Sequence, residues 1–220
     1  MTQDFDHNRA IRDAAREILR PLGCIQKGRS RLWYVDHAWW LALVEFQPSG
    51  FSRGSYLNVG ACFLWHESST FPFGDFAGER PWLSEHELTG DGARDLAMQA
   101  RDSLFQVQER HSDVVKTASY LNLRDSHSNW GHFDAGVALG LSGRTSEAQA
   151  HFRSAIADAN GIEWIEQLNV ECLYLFNLVG DELKFLEWAE KRVSHTRQLK
   201  GLPPIQISRS TFLGINKLSG

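Results

Sequence analysis

A chain of 220 residues that is 42% hydrophobic and 23% charged has the composition of a globular protein with a real core, in one large domain or two small ones. A formal charge of −4 and a pI near 6.1 argue against a nucleic-acid footprint, which needs a clustered basic excess. The longest apolar run, AWWLALV, is far too short to span a bilayer, and MTQDFDHNR lacks the basic-then-apolar order of a signal peptide, so the expected compartment is the cytoplasm.

Residues 6 to 20, DHNRAIRDAAREILR, place Ile11, Ala14, Ala15, Ile18 and Leu19 at helical spacing, and Pro21 with Gly23 ends the helix. Three segments rich in aromatic and β-branched residues follow: RLWYV, WWLALVEFQ and SYLNVGACFLW. In the third, Leu57, Val59, Ala61, Phe63 and Trp65 alternate with Tyr56, Asn58, Gly60 and Cys62, which predicts a half-buried strand. The short separators at 36–38 and 48–54 predict antiparallel pairing. From Glu67 to Gly92 the composition shifts to Gly, Pro, Ser and aromatics. Phe71, Phe73, Phe76 and Trp82 need somewhere to bury, so this is expected to be an ordered excursion.

After Gly92 the period is helical. Leu96, Ala100, Leu104 and Val107 form one stripe over 93–110, a shorter helix is expected over 112–121, and DSHSN at 125–129 offers N-caps. The stretch from 201 to 220, with Pro203 and Pro204, is expected to be an extended tail. The fold class is therefore α+β. An antiparallel meander with flanking helices occupies 1–111, and an all-helical, hairpin-like region occupies 112–200.

Within WGHFDAGVALGLSGRTSEAQAHFRSAI, Gly136, Leu139, Gly143, Ala148, Phe152 and Ala155 are spaced so that this stretch resembles a degenerate tetratricopeptide repeat, a two-helix unit of about 34 residues. A shift of 37 residues places Leu141 on Leu178 and Gly143 on Gly180. It also exchanges large and small, Phe152 falling on Ala189 and Ala148 on Phe185. The resemblance implies a concave face on the first helix, carrying Trp130, Phe133, Asp134 and Val137 toward a partner. Ala148, Phe152 and Ala155 would then fill the seam.

In the first half, LRPLGCIQKGRSRLWY, VEFQPS and GSYLNVGACFLW resemble a bacterial family known as domain of unknown function 4304. The likeness rests on Leu22, Gly23, Lys27, Gly28, Arg29, Phe46, Gln47, Ser49, Asn58 and Gly60, with Cys24 where that family usually has Phe. It covers about residues 8–110, implies an α+β domain and carries no activity of its own. By fold-level analogy it points to a bacterial immunity or anti-phage accessory protein.

Chemical motifs are sparse. Cys24, Cys62 and Cys172 are odd in number and far apart, so they are expected to be small buried hydrophobes. Lysines and arginines are scattered, Arg29 and Arg31 in one place and Lys191, Arg192 and Arg197 in another. The densest reactive group is His111, Asp113, Asp125, His127, His132 and Asp134. A metal-dependent hydrolase or nuclease would draw on His127, His132 and Asp134, yet their spacing matches no closed metal motif. His66 and Glu67 sit at a strand exit but should point to opposite faces. Glu45 and Gln47 share a strand face near Arg31 or Trp33; they either line a polar pocket on the open face, or Gln47 ties down the next turn. There is no phosphate-cradling glycine loop and no nucleophile elbow. The expected function is non-enzymatic binding of another protein or peptide. No cofactor, metal, nucleic acid or membrane is expected, and a homodimer fits the aromatic surplus.

Overall fold

A computed structural model describes residues 7–50, 53–124, 128–157 and 161–215. The chain is α+β, with an antiparallel sheet in its first half and helices after it. It forms two compact units, one of 1–62 with 75–109 and one of 63–74 with 110–220. The expected sheet domain of 1–111 therefore gives up 63–74 to the helical unit.

In the first unit, α1 (His7–Leu19) buries Ile11, Ala14, Ala15 and Leu19. It stops in a 3-10 turn over Arg20–Leu22, where Pro21 lacks a donor and Gly23 takes φ +80°, returning its N–H to Arg20 O at 3.0 Å. The sheet order is β1 (Ile25–Gln26), β2 (Leu32–Asp36), β3 (Trp40–Pro48), β4 (Gly54–Phe63) and β5 (Asp75–Phe76), with β6 (Trp82–Ser84) also on β4. Trp33 pairs with Val44 and Leu32 with Glu45 across β2 and β3. Trp33, Val44 and Phe46 thus share one face. Trp33 and Phe46 line a groove with Ile11 and Ala15, which puts α1 over that face. α2 (Gly90–Arg110) buries Ala93, Leu96, Ala97, Ala100, Leu104 and Val107 at helical spacing, and Arg94 reaches Glu17 of α1 at 2.6 Å.

Two expectations are corrected in this unit. β4 is not half-buried: burial is continuous from Leu57 to Phe63, because the strand is flanked on both edges and covered on both faces. Phe76 and Trp82 do not bury. β5 turns Asp75 inward at 1% exposure, so alternation sends Phe76 out at 50%, and Trp82 on β6 stays 39% exposed.

The helical unit contains α3 (Val114–Asn122), α4 (Asn129–Leu141), α5 (Thr145–Ala155), α6 (Glu163–Leu178), α7 (Glu182–Leu199) and α8 (Arg209–Phe212). Asp113, Ser128 and Asp181 cap α3, α4 and α7 by accepting N–H bonds from Lys116, Gly131 and Lys184. Gly143, at φ +82°, turns α4 into α5. α4 is buried from Phe133 through Gly140, so it carries no polar face: α3, α5 and α7 all pack on it. Glycine permits that packing. A Cβ on Gly136 would lie 2.6 Å from the Phe152 ring, and one on Gly140 would lie 2.6 Å from the Phe185 ring. Ala148, Phe152, Phe185 and Ala189 are all buried, the two rings 6.3 Å apart. The tail is not wholly extended, since α8 interrupts it.

Candidate functional site

Leaving β4, the chain enters the helical unit as segment 63–74. Phe63 and Trp65 stack with ring centroids 4.7 Å apart, and Trp65 is fully buried. Its indole N–H donates to Asp134 Oδ1 at 2.7 Å, while Nε2 of His66 lies 2.5 Å from the same oxygen. The imidazole sits between aromatic rings, 4.6 Å from Trp130 and 5.3 Å from Phe133. Asp134 itself is 1% exposed. Its other oxygen, Oδ2, is buried with no hydrogen-bond partner among the described residues. Gly74 makes room beside that oxygen, since a Cβ there would stand 3.2 Å from Oδ2 and 2.9 Å from the Phe63 ring.

These groups form the floor and walls of a cleft of about 420 Å³, lined by His66, Glu67, Ser68, Gly74, Ser128 and Trp130 among others. Segment 63–74 is latched to α7. Glu67 pairs with Arg192 at 3.2 Å and His195 at 3.3 Å, Thr196 Oγ1 donates to His66 O, and Lys200 Nζ donates to Ser68 O and Thr70 O. Arg192 also holds Glu171 at 2.8 Å. His66 is therefore fixed through both its backbone and its ring.

A carboxylate only accepts, so Asp134 assigns the Nε2 proton to the bond between them. In that tautomer the lone pair lies on Nδ1, for which no partner exists among the described residues. Chemically this is an oriented imidazole in a cleft whose other walls mix aromatic rings, Phe63, Phe73 and Trp130, with polar groups such as Glu67, Ser68, Thr70 and Ser128.

Of the four residues expected to face a partner, Trp130 is 39% exposed. Phe133, Asp134 and Val137 are buried, because the helix that carries them is enclosed by its neighbours. In the expected metal group, Asp134 turns to Trp65 and His66, His132 Nδ1 meets His151 Nδ1 at 3.1 Å, and His127 lies outside the described residues, as does Asp125. Among the described residues no group of three or more His, Cys, Asp or Glu is arranged to hold a metal. His111 is buried against Thr117, and Asp113 serves as a cap. On the sheet, Asn58 Nδ2 donates to Glu45 at 3.0 Å and Gln47 at 2.9 Å, and Arg80 closes the cluster by donating to Asn58 and Gln47. Arg80 thus fills the expected polar pocket, with Trp33 on the other face. Cys24, Cys62 and Cys172 are buried and form no disulfide. Burial pushes Cys24 up to about 11; burial and the Glu171 charge push Cys172 up to about 12.

Comparison with known proteins gives no match: no family model, no curated protein and no solved structure aligns with this chain. Among the described residues, no helix is long and apolar enough to cross a membrane.

The His66–Asp134 pair escapes sequence reading because 68 residues separate its members. Strand alternation does not apply to His66 and Glu67, because β4 ends at Phe63; both residues line the cleft, the His66 ring on Asp134 and the Glu67 carboxylate on Arg192 and His195. Alternation also has no means of supplying the distant partners.

Proposed function

We propose that the chain is a non-enzymatic protein-interaction module that receives a segment of a partner protein on its helical unit, at the cleft beside the start of α4. The observation that carries this reading is a pair of half-exposed indoles. Trp130 and Trp164 stack at 6.4 Å with 39% and 48% of their surface open, next to the cleft that His66 lines. Exposed tryptophan beside a cleft is the chemistry of interface anchors, where few residues supply most of the binding energy. The setting, bacterial immunity or anti-phage defence, rests on the family likeness of the first half alone.

Selection from a displayed peptide library tests the reading. Enriched peptides should bind the parent protein and lose at least tenfold in affinity to the Trp130→Ala, Trp164→Ala double variant, with its melting temperature close to the parent's. Peptides indifferent to that variant would remove the indoles from the site. A concentration-dependent dimer that the variant dissolves would make the partner a second copy of this chain.

A second reading has its own observation. An imidazole held by a buried carboxylate is the arrangement of a general base, with Nδ1 taking a proton from water at a bound ester or amide. Turnover of a small-substrate panel that vanishes in His66→Gln, with peptide binding intact, would favour the enzyme.

A further inference from the structure

A different place carries an independent inference: the groove between α1 and the β1–β2 hairpin. Arg12, Arg29 and Arg31 border it together with Asn8, Gln26 and Ser30, above Trp33. Among the described residues, no acidic side chain lines it. Several neighbouring arginines are paired with carboxylates: Arg9 and Arg16 reach Asp13, and Arg94 reaches Glu17. Arg12 and Arg29 have no such partner among the described residues, although converging cations repel one another.

The hairpin that presents Arg29 is built stiffly. Gly28 takes φ +57°, Ser30 N–H and Oγ both donate to Lys27 O, and Gln26 Nε2 donates to Ser30 O at 2.7 Å. Arg31 is braced by a bond to Phe46 O. Asn8 lies in the first turn of α1, so the positive end of the helix adds to the same field. The groove holds about 130 Å³. That is several times the roughly 30 Å³ share of one water, and well below the roughly 300 Å³ at which drug-sized ligands begin to fit. A buried Trp33 at its floor offers no ring for a base to stack on.

We propose that Arg12, Arg29 and Arg31 form a binding site for a single oxyanion of the phosphate class. Guanidinium forks match tetrahedral oxygens in pairs, and the braced hairpin fixes the backbone that carries Arg29 and Arg31 at the groove.

The test is titration of the full chain with inorganic phosphate at low salt, against chloride at equal ionic strength, followed by calorimetry and by melting temperature. Phosphate should bind with a millimolar or tighter Kd and raise the midpoint more than chloride does. The exposed substitutions Arg12→Gln and Arg29→Gln together should weaken it at least tenfold without lowering the phosphate-free midpoint. Equal shifts with phosphate and chloride, or phosphate binding unchanged in the double variant, would overturn the site. A small phosphate monoester distinguishes the source: binding tighter than inorganic phosphate marks an esterified ligand, and equal or weaker binding marks the free ion. A single-stranded oligonucleotide that binds far more tightly than either, with a steep salt dependence, would also overturn it by making the groove a nucleic-acid surface.

Discussion

Asp134 is the residue on which the cleft depends. A carboxylate at 1% exposure is tolerable because Trp65 and His66 both approach Oδ1, and its solvation is otherwise lost. His66→Ala removes one of those donors and leaves the charge buried, so a loss of about 3 kcal/mol is expected in urea unfolding. Asp134→Asn keeps the shape and discards the charge, and should lose only about 1 kcal/mol. If the order reverses, the pair is not holding the segment. The buried thiols give a second expectation, with a defined sign. Their folded pKa values lie above the ordinary 9.0, so the folded state keeps protons that the unfolded chain releases. The contribution is intact below pH 9 and is lost as pH climbs toward about 11 and 12. Urea midpoints should fall across that window, and fall less in a Cys24→Ala, Cys172→Ala variant. In native protein at pH 8, a thiol reagent should read well under one group per chain.

The central helix α4 owes its close packing to missing side chains. Phe152 presses on Gly136 and Phe185 on Gly140, so a methyl at either glycine overpacks the seam. Gly136→Ala should lose about 1–3 kcal/mol alone, and clearly less in a Phe152→Leu background, where the ring that collides is gone. Additive losses would show that the glycine serves some other purpose. Phe133 and Phe152 are both buried, so Phe133→Ala and Phe152→Ala should each lose about 3–5 kcal/mol, whereas Trp130→Ala should stay under about 1. Much of this element was legible in advance: the small residues, Gly143 in the turn and the exchange of Phe and Ala between hairpins are what the resemblance to a two-helix repeat implies. The burial of Phe133, Asp134 and Val137 was not. One hairpin read alone leaves its first helix with an open face, and only α3 and α7 arriving from elsewhere in the chain close it. β4 was misjudged for the same reason, since alternation describes a strand with one covered face and says nothing of a second layer.

At the scale of the molecule, the chain passes between the two units three times, at 62–63, 74–75 and 109–110. The middle piece is short, yet it brings Trp65 and His66 to Asp134, lines the cleft, and is gripped by Arg192, His195, Thr196 and Lys200. A helical half cut near the domain boundary expected from the sequence, at 111–112, would leave that piece out. A fragment of 110–220 would then retain all six helices from α3 to α8, but strand Asp134 without either donor and leave Arg192 and Lys200 without the groups they hold. Such a fragment should show helical circular dichroism with a broad, low thermal transition and poorly dispersed amide resonances. Supplying residues 63–74 through a flexible glycine-serine linker ahead of position 110 should sharpen the transition, and His66→Ala in that linked fragment should abolish the gain. A cooperative, well-dispersed 110–220 fragment would show that the helices need nothing from segment 63–74, and that its role is confined to the cleft.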